Sequence, residues 1–471
     1  MRWCVIIAAW QSALKGTSML TTLLAAILLG IGLLIFLAFA AFGVVSLAEG
    51  ERRAMWISFG LAILGAGFFA GAAFAPPLLR GIVLGALGVL FLAGVILFSL
   101  PIGRVEGADQ QPASRFDERE IMFARARLEP GSAEFERYYN EHPEHKAADD
   151  RFRALPGLLS KRAKFYDPFG FAAIEASFYL TESLREAVDG PVAAEKIQAS
   201  PEEMTTYLKR LAQFYGALDV GVTALEPYHV YSHIGRGTGE YGAPISLAHT
   251  HAIAFTIEMD FEMVMTAPRA PTSMETAKEY VEAARVAVQL AQAIREMGYE
   301  ARAHIDGNYR LIAPLVARDA GLGEIGRMGL LMSPRQGPRL RLGVVTTTLA
   351  LIPDPREPNR ALIDFCNICK KCAQNCPSRS IPFDDRREID GALRWRIDSD
   401  TCFRYWNRVG TDCARCMAVC PYAHPDNWAH NLVRWGIQRS GFFRRLALWL
   451  DDLFYGRSPA VKPGPGWLPD R

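Results

Sequence analysis

The cysteines constrain this chain more than any other feature of its sequence. Eight of the nine cysteines in 471 residues lie between positions 366 and 420. They form two runs, which read Cys366-x2-Cys369-x2-Cys372-x3-Cys376-Pro377 and Cys402-x10-Cys413-x2-Cys416-x3-Cys420-Pro421. Two-residue gaps let a tight loop turn several sulfurs toward one centre, and thiolate is a soft ligand that suits iron. The proline after the last cysteine of each run stops the local turn or helix from continuing.

This spacing is typical of bacterial ferredoxins that hold two 4Fe-4S clusters, in which the fourth cysteine of each run ligates the other cluster. We therefore predict two sets of four ligands. The first set is Cys366, Cys369, Cys372 and Cys420. The second set is Cys376, Cys402, Cys413 and Cys416. Structural zinc sites do not use this interleaved spacing, and a disulfide framework is disfavoured because only Cys4 precedes the runs. We expect Cys4 to be an inert apolar residue.

Three apolar stretches near the N-terminus predict a membrane anchor over residues 1–104. They lie between Lys15 and Glu49, between Arg53 and Arg80, and between Arg80 and Arg104. Each meets the requirement of roughly 20 residues for a helix that crosses a bilayer. Three such stretches separated by short polar turns are not a cleavable signal peptide.

The charges that flank these stretches favour one orientation. Three spans put the two ends of the anchor on opposite sides, with Arg52, Arg53 and Arg104 on the side of the large domain. The positive-inside rule then favours the inner (cytoplasmic) membrane with a cytoplasmic catalytic domain. The formal net charge is only +2, and without a basic stripe we expect no nucleic-acid partner.

The rest of the chain divides by composition. We interpret residues 105–155 as a linker, 156–350 as a catalytic domain, 351–430 as the cluster domain and 431–471 as a C-terminal helix and tail. Ser200 is a helix N-cap before acidic residues, and residues 274–298 have a helical period that ends at Gly298. Residues 251–259 and 341–351 predict strands. Helices and strands in this order predict an α/β or α+β domain.

Three segments resemble the corrinoid-dependent reductive dehalogenases. They are DAGLGEIGRMGLLMSPRQGPRLRL at 319–342, RWRIDSDTCFRYWNRVGTDCARCMAVCPY around the second cysteine run, and DDLFYG at 451–456. The resemblance covers about residues 156–456. It implies an α/β fold with a nitroreductase-like corrinoid-binding domain, then a two-cluster ferredoxin domain. It also implies reductive removal of halide from an organohalide at a corrinoid cobalt, with electrons supplied through two 4Fe-4S clusters.

Catalytic roles follow from the resemblance by position. It implies that Tyr280 donates a proton, that Arg341 stabilises the phenolate, and that Asn308 is an active-site residue, although HIDGN departs from the family by a two-residue insertion. A phenol with a pKa of about 10 is a poor acid unless a cation stabilises its anion. Arg341 always carries its charge, so we expect it to lower the pKa of Tyr280.

The segment before the clusters carries the expected corrinoid contacts. Glycine lets a flat ring approach the backbone closely. The candidates are Gly321, Gly323, Gly326, Gly329 and Ser333. A phosphate-binding loop is a competing interpretation of the same glycines, but the strand upstream is doubtful and no acidic residue follows about 20 positions later.

The resemblance also argues against histidine as a cobalt ligand, because the family binds its corrinoid without a protein histidine on cobalt. We therefore expect packing or surface roles for these side chains. They are His229, His233, His249, His251 and His304.

Two other functions fit parts of the sequence. One is an epoxyqueuosine reductase-like enzyme, which also pairs a corrinoid with two clusters but acts on tRNA. The other is a membrane-bound electron-transfer ferredoxin without corrinoid. In the dehalogenase family, respiratory members usually use a separate three-span anchor, whereas here the anchor is fused. We expect electrons from a quinol, or from reduced ferredoxin or flavodoxin.

Overall fold

The computed structural model describes residues 2–103 and 111–469, with side chains from residue 19 onward. Cys4, the side chain of Lys15, and Arg104 therefore lie outside the described part. The chain divides into two compact units. One comprises residues 1–103 and 431–457, and the other comprises residues 104–430 and 458–471.

Long apolar helices dominate the first unit. They are α1 (Arg2–Ala48), α2 (Arg52–Phe74) and α3 (Pro77–Ser99). Segments Met19–Ala48, Arg52–Phe74 and Pro77–Ser99 are long and apolar enough to cross a membrane. A Cβ at Gly32 of α1 would lie 2.8 Å from Phe69 Cβ of α2, so glycine lets these helices approach closely. The predicted apolar stretches are thus confirmed as helices and indicate membrane association.

The second unit begins with short helices and a small sheet. The helices up to residue 319 are α4 (Met122–Ala126), α5 (Ala133–Glu141), α6 (Pro143–Arg153), α7 (Pro168–Ser183), α8 (Pro201–Phe214), α9 (Phe261–Val264), α10 (Ala270–Glu296) and α11 (Ala313–Asp319). The strands are β1 (Val220–Ala224), β2 (His251–Glu258), β3 (Ala301–His304), β4 (Glu324–Ile325), β5 (Leu331–Met332), β6 (Leu340–Thr347), β7 (Arg387–Ile389) and β8 (Ala392–Arg394).

Four of these strands form one sheet in the order β1-β2-β6-β3, and each of its pairings is antiparallel. The buried faces of β2 and β6 pack on α10 through residues such as Ile253, Val345 and Leu290. The mixed helix and sheet class is confirmed. Burial of this sheet against α10 fixes the helix that carries Tyr280.

The predicted start of α8 and the predicted end of α10 agree with the structure. Ser200 caps α8 in a capping box with Glu203, because each residue's side chain binds the other's backbone N–H. Helix α10 begins at Ala270, four residues before its predicted start, and Gly298 follows its end with φ of +88°. Only glycine adopts this conformation without strain.

The remaining helices surround the cysteines and close the chain. They are α12 (Arg360–Cys369), α13 (Lys371–Gln374), α14 (Ser399–Val409), α15 (Arg415–Ala418), α16 (Trp428–Arg439) and α17 (Gly441–Tyr455). The prediction of one C-terminal helix is wrong, because Ser440 leaves the helical conformation and caps α17 by accepting the N–H of Phe443. The segment interpreted as a linker contains α4 to α6 and buries Glu118, which pairs with Arg236 at 3.1 Å.

Candidate functional site

The two cysteine runs have the same local backbone. The residue after the third-last cysteine of each run is left-handed, with φ of 56° at Lys370 and 47° at Ala414. A one-turn helix follows each of them, α13 and α15. The left-handed residue reverses the chain between two cysteines, so that sulfurs separated by two residues turn to the same side.

Thiols lie close together within each of the two groups of four that the spacing predicts. The groups also interact with each other, because the Cys416 thiol raises the pKa of Cys372. Burial raises the pKa of Cys420, and the neighbouring thiols of Cys369, Cys366 and Cys372 raise it further. Burial raises the pKa of Cys416 as well, and its neighbours are the thiols of the other group. These are Cys413, Cys402 and Cys376. None of the eight cysteines from Cys366 to Cys420 forms a disulfide, so each group can offer four sulfur ligands.

One carboxylate joins the second cysteine group to the sheet and to α10. Asp412 directly precedes Cys413, and its carboxylate accepts hydrogen bonds from Ser273 Oγ at 2.5 Å and Thr276 Oγ1 at 2.6 Å. Arg341 Nη2 lies 3.5 Å from Asp412 Oδ2 and donates to Thr276 Oγ1 at 2.8 Å. Sequence reasoning missed Asp412, and its only signal was its place in the Gly-Thr-x-Cys run.

Arg341 faces the ring of Tyr280. Its Cζ atom lies 5.0 Å from the ring centroid, which is within cation–π distance. Tyr280 is half-buried, and no described residue forms a hydrogen bond with its hydroxyl. The structure therefore brings together the two residues that the resemblance paired.

The pKa of Tyr280 differs in direction from the expectation. Burial raises this pKa, and Arg341 lowers it by a smaller amount. The carboxylates of Asp306 and Asp412 raise the pKa, while Arg236 lowers it. The net effect is a pKa above the usual value, so the phenol holds its proton more firmly than a free tyrosine.

Asn308 is fully buried and its amide is used by the protein. Its Oδ1 accepts from Arg302 Nη2 at 2.9 Å, and its Nδ2 donates to the Arg185 carbonyl at 2.9 Å and to Thr238 Oγ1 at 3.2 Å. The next residue, Tyr309, interacts electrostatically with Tyr280. These bonds fix the backbone that carries Tyr309.

Close packing explains part of the glycine segment. A Cβ at position 323 would lie 2.3 Å from the Met332 carbonyl oxygen, so the hairpin of β4 and β5 requires Gly323. A Cβ at Gly326 would lie 3.7 Å from Cys366 Sγ, so this turn borders the first cysteine group.

Positive φ angles explain two of the other candidates, because Gly321 and Gly329 have φ of +80° and +76°. Ser333 is buried in a turn, where its hydroxyl accepts the N–H of Gln336 at 3.0 Å. Residues 313–319 upstream form α11 rather than a strand. A phosphate loop of the strand-turn-helix kind therefore lacks its structural context.

The buried histidines use their ring nitrogens within the protein. His229 Nε2 lies 2.8 Å from Asp319 Oδ2, and its Nδ1 accepts the Glu226 N–H at 3.1 Å. His304 contacts Thr346 Oγ1 through Nε2 at 2.9 Å and accepts the Arg310 N–H through Nδ1. Neither ring has a nitrogen left for a metal.

The exposed and half-buried histidines also have hydrogen-bond partners. His249 Nδ1 lies 2.7 Å from Thr346 Oγ1, and His251 Nδ1 lies 2.9 Å from Thr250 Oγ1. His233 Nδ1 lies 3.1 Å from Asp117 Oδ2.

Known proteins share both the cluster region and a longer part of the chain. The model of the 4Fe-4S dicluster domain family matches residues 365–424. The tetrachloroethene reductive dehalogenase of Sulfurospirillum multivorans is 33% identical over 291 residues, which cover 54% of this chain and 58% of that protein. A protein of the same name from Desulfitobacterium hafniense is 35% identical over 194 residues, covering 39% of this chain and 34% of that protein.

A different enzyme class is similar over a shorter region. The epoxyqueuosine reductase of a Synechococcus species is 34% identical over 161 residues, which cover 31% of this chain and 48% of that protein.

Solved structures support the same relationship. A reductive dehalogenase structure whose description suggests a mechanism for B12-dependent dehalogenation has a TM-score of 0.58 and 26% identity, covering 65% of this chain and 46% of that chain. A tagged variant of the catabolic reductive dehalogenase NpRdhA has a TM-score of 0.61 and 24% identity, covering 76% of this chain and 49% of that chain. The chain spans less than two thirds of the length of each. In sequence and in fold, the chain is therefore similar to reductive dehalogenases.

Proposed function

We propose that this protein is a membrane-anchored reductive dehalogenase. The reaction takes an organohalide, two electrons and one proton, and yields the product with hydrogen in place of halogen, together with halide ion. The observation that carries this proposal is the contact between Arg341 and Tyr280 beside the second cysteine group, with an unpartnered phenol hydroxyl. An electron-transfer protein alone has no use for a positioned acid next to its ligand loop.

The residues fit the cofactors that the family implies. Two groups of four cysteines, none of them in a disulfide, suit two 4Fe-4S clusters. The segment from Gly321 to Ser333, which borders Cys366 through Gly326, would hold a corrinoid. When bound, these groups supply one-electron transfer and cobalt chemistry at the carbon–halogen bond.

The side chains around this site have separate roles in proton transfer. Tyr280 holds a proton at its hydroxyl and donates it to the carbon that loses halide, which is general-acid catalysis. Arg341 stabilises the phenolate that remains, since its cation faces the ring. Asp412 and Thr276 hold Arg341 in this place. Asn308 is a positioning residue through its bonds to Arg302 and Arg185.

The proposal also covers the location of the protein in the cell and the source of its electrons. Three apolar helices support an integral protein of the cytoplasmic membrane, and the flanking arginines favour a catalytic domain on the cytoplasmic side. Electrons would then come from a membrane quinol, or from reduced ferredoxin or flavodoxin.

A direct test is to purify the full-length protein without oxygen, with a cobamide present during assembly. Halide release from tetrachloroethene, other haloalkenes and haloaromatics is then measured with a reduced viologen as donor. Dehalogenation of at least one substrate supports the proposal. Protein that binds iron and sulfide but no cobamide would be an electron-transfer protein. Protein that binds both but acts only on epoxyqueuosine in tRNA would be the alternative enzyme.

A further inference from the structure

Helices α16 and α17 expose a surface that has no role in the proposed reaction. Residues 431–457 belong to the same compact unit as the three apolar helices. The Trp435 ring of α16 stacks on Phe98 of α3 with centroids 6.0 Å apart. The Phe454 ring of α17 meets Phe42 of α1 edge-on at 5.2 Å. Both contacts are near the ends of α1 and α3.

Polar bonds fasten α17 at the same end of the helices. Arg53, at the start of α2, donates through Nε to the Leu453 carbonyl at 3.1 Å. Arg444 donates through Nη2 to the carbonyl of Ile102, just after α3, at 3.0 Å. The two C-terminal helices are therefore fixed where α1 ends, α2 begins and α3 ends.

Several large apolar and aromatic side chains of this helix pair are exposed, with basic residues beside them. Trp449 is 61% exposed, Leu432 is 60% exposed and Trp435 is 49% exposed. Arg439 places its guanidinium 4.5 Å from the centroid of the Trp435 ring. Tryptophan and arginine in this combination are enriched where a helix lies at the membrane–water interface, because the ring is amphipathic and the cation reaches the headgroups.

We propose that α16 and α17 lie in the membrane interface beside the apolar helices, with Trp435 and Trp449 among the lipid headgroups. Continuity with the spans favours lipid over a protein partner, since no residue of α3 is buried and its surface leads directly to the Trp435 contact. Arg439 and Arg445 would face the headgroup phosphates. This surface adds a second attachment to the bilayer besides the spans.

Hydroxyl-radical footprinting of the full-length protein in lipid nanodiscs tests this placement one tryptophan at a time. Trp435 and Trp449 should be protected from oxidation, while Trp467, which is 69% exposed and outside these helices, should be oxidised readily. Equal oxidation of all three would overturn the proposal and leave the face to a protein partner. Quenching by brominated lipids provides a second measurement, which should weaken in Trp449→Phe and would contradict the proposal if unchanged.

A separate observation concerns a buried arginine beside the first cysteine group. Arg327 is 1% exposed, donates through Nε to the Cys366 carbonyl at 3.1 Å and through Nη1 to the Pro382 and Asp384 carbonyls at 2.7 Å. Its guanidinium lies 4.7 Å from the Trp395 ring centroid. In the described part of the chain no carboxylate forms an ion pair with Arg327. The carboxylate of Asp385 acts on it only through a longer-range interaction, as the thiols of Cys366 and Cys372 also do.

The second cysteine group has the opposite charge beside it. Asp412 is adjacent to Cys413 and is held in place by Ser273 and Thr276. Asp412 and Asp398 both act on the Cys402 thiol. The two groups therefore lie in different electrostatic surroundings. The first is next to a buried arginine that has no ion pair. The second is next to two carboxylates, one of them 3.5 Å from Arg341, and to Arg415, whose guanidinium interacts with the Cys413 thiol.

We infer that this asymmetry gives the two clusters different reduction potentials, an inference that rests on the proposed clusters. Reduction adds negative charge, which a nearby cation stabilises and a nearby anion opposes. The cluster on the first group, beside Arg327, should therefore have the higher potential. The cluster on the second group, beside Asp412, should have the lower one.

Redox titration of the anaerobic full-length protein, followed by electron paramagnetic resonance, measures both potentials in one sample. Arg327→Gln should lower one midpoint, Asp412→Asn should raise the other, and Arg327→Lys should shift its midpoint less than Arg327→Gln because it keeps the charge. Both variants acting on the same signal, or neither shifting any signal, would overturn the inference. If Arg327→Gln does not assemble, Asp412→Asn and Arg327→Lys decide it.

These outcomes are distinguishable from failure of the proposed function. A protein without iron–sulfur signals contradicts the proposed cofactors themselves. A protein that removes halide and shows two signals with unshifted midpoints contradicts only the role of Arg327 and Asp412.

Discussion

The contact of Arg341 with Tyr280 leads to a test of one hydroxyl group. We predict that Tyr280→Phe keeps its clusters and cobamide but loses turnover by about 100-fold or more, the typical contribution of a positioned acid. Cofactor content by absorption spectroscopy and halide release check this. Tyr299→Phe is the matched control. The Tyr299 hydroxyl donates a hydrogen bond to the Ile197 carbonyl, and removal of this hydroxyl should leave turnover unchanged. Full activity in Tyr280→Phe would remove this residue from the mechanism.

The raised pKa of Tyr280 predicts how the rate depends on pH. Burial raises this pKa above its ordinary value of about 10 despite the opposing effect of Arg341. Tyr280 can donate a proton only while it is protonated, so we expect the rate to fall only above about pH 10. Arg341→Gln removes the cation that lowers the pKa of Tyr280. The pH at which the rate falls should therefore move still higher, and turnover should decrease. A fall in rate near pH 8 in the unsubstituted protein would contradict the role of Tyr280 as proton donor.

At the scale of elements, the pairing of β2 with β6 depends on one glycine. Gly343 is opposite Phe255 in the register, and a Cβ there would lie 2.2 Å from the Phe255 ring. We predict that Gly343→Ala destabilises the protein by about 1–3 kcal/mol, the usual cost of overpacking. Gly466→Ala is the control, because a Cβ at Gly466 meets nothing within 4 Å. Thermal unfolding of both variants in one detergent measures the difference, and equal midpoints would contradict the prediction.

At the scale of the whole molecule, the three apolar helices predict the behaviour of the protein in membranes. The full-length chain should stay in the membrane fraction after washing with alkaline carbonate or high salt, because only disruption of the bilayer releases an integral helix. A peripheral membrane protein in the same preparation should be released and serves as the control. Release of the full-length chain by these washes would rule out the integral anchor.

The parts that could be predicted from the sequence are those set by neighbours along the chain. The cysteine spacing predicted two groups of four thiols, because a two-residue gap and a following proline constrain the local backbone. Apolar length predicted the membrane helices, since a span depends on its own residues. The cap at Ser200 and the end of α10 at Gly298 followed from local backbone chemistry. The break between α16 and α17 at Ser440 was not predicted, because the residues on both sides of Ser440 continue the helical pattern.

The tertiary structure decided what distant residues do together. Asp412 and Thr276 are 136 positions apart, yet their hydrogen bond joins the cysteine loop to α10. Burial also reversed the expected direction of the Tyr280 pKa, because desolvation depends on everything that surrounds a side chain. The charge of Arg327 beside the first group depends likewise on packing. The sequence by itself determined the cysteine spacing and the long apolar helices, whereas folding determined which charges face the cysteines, since no local pattern records contacts across the chain.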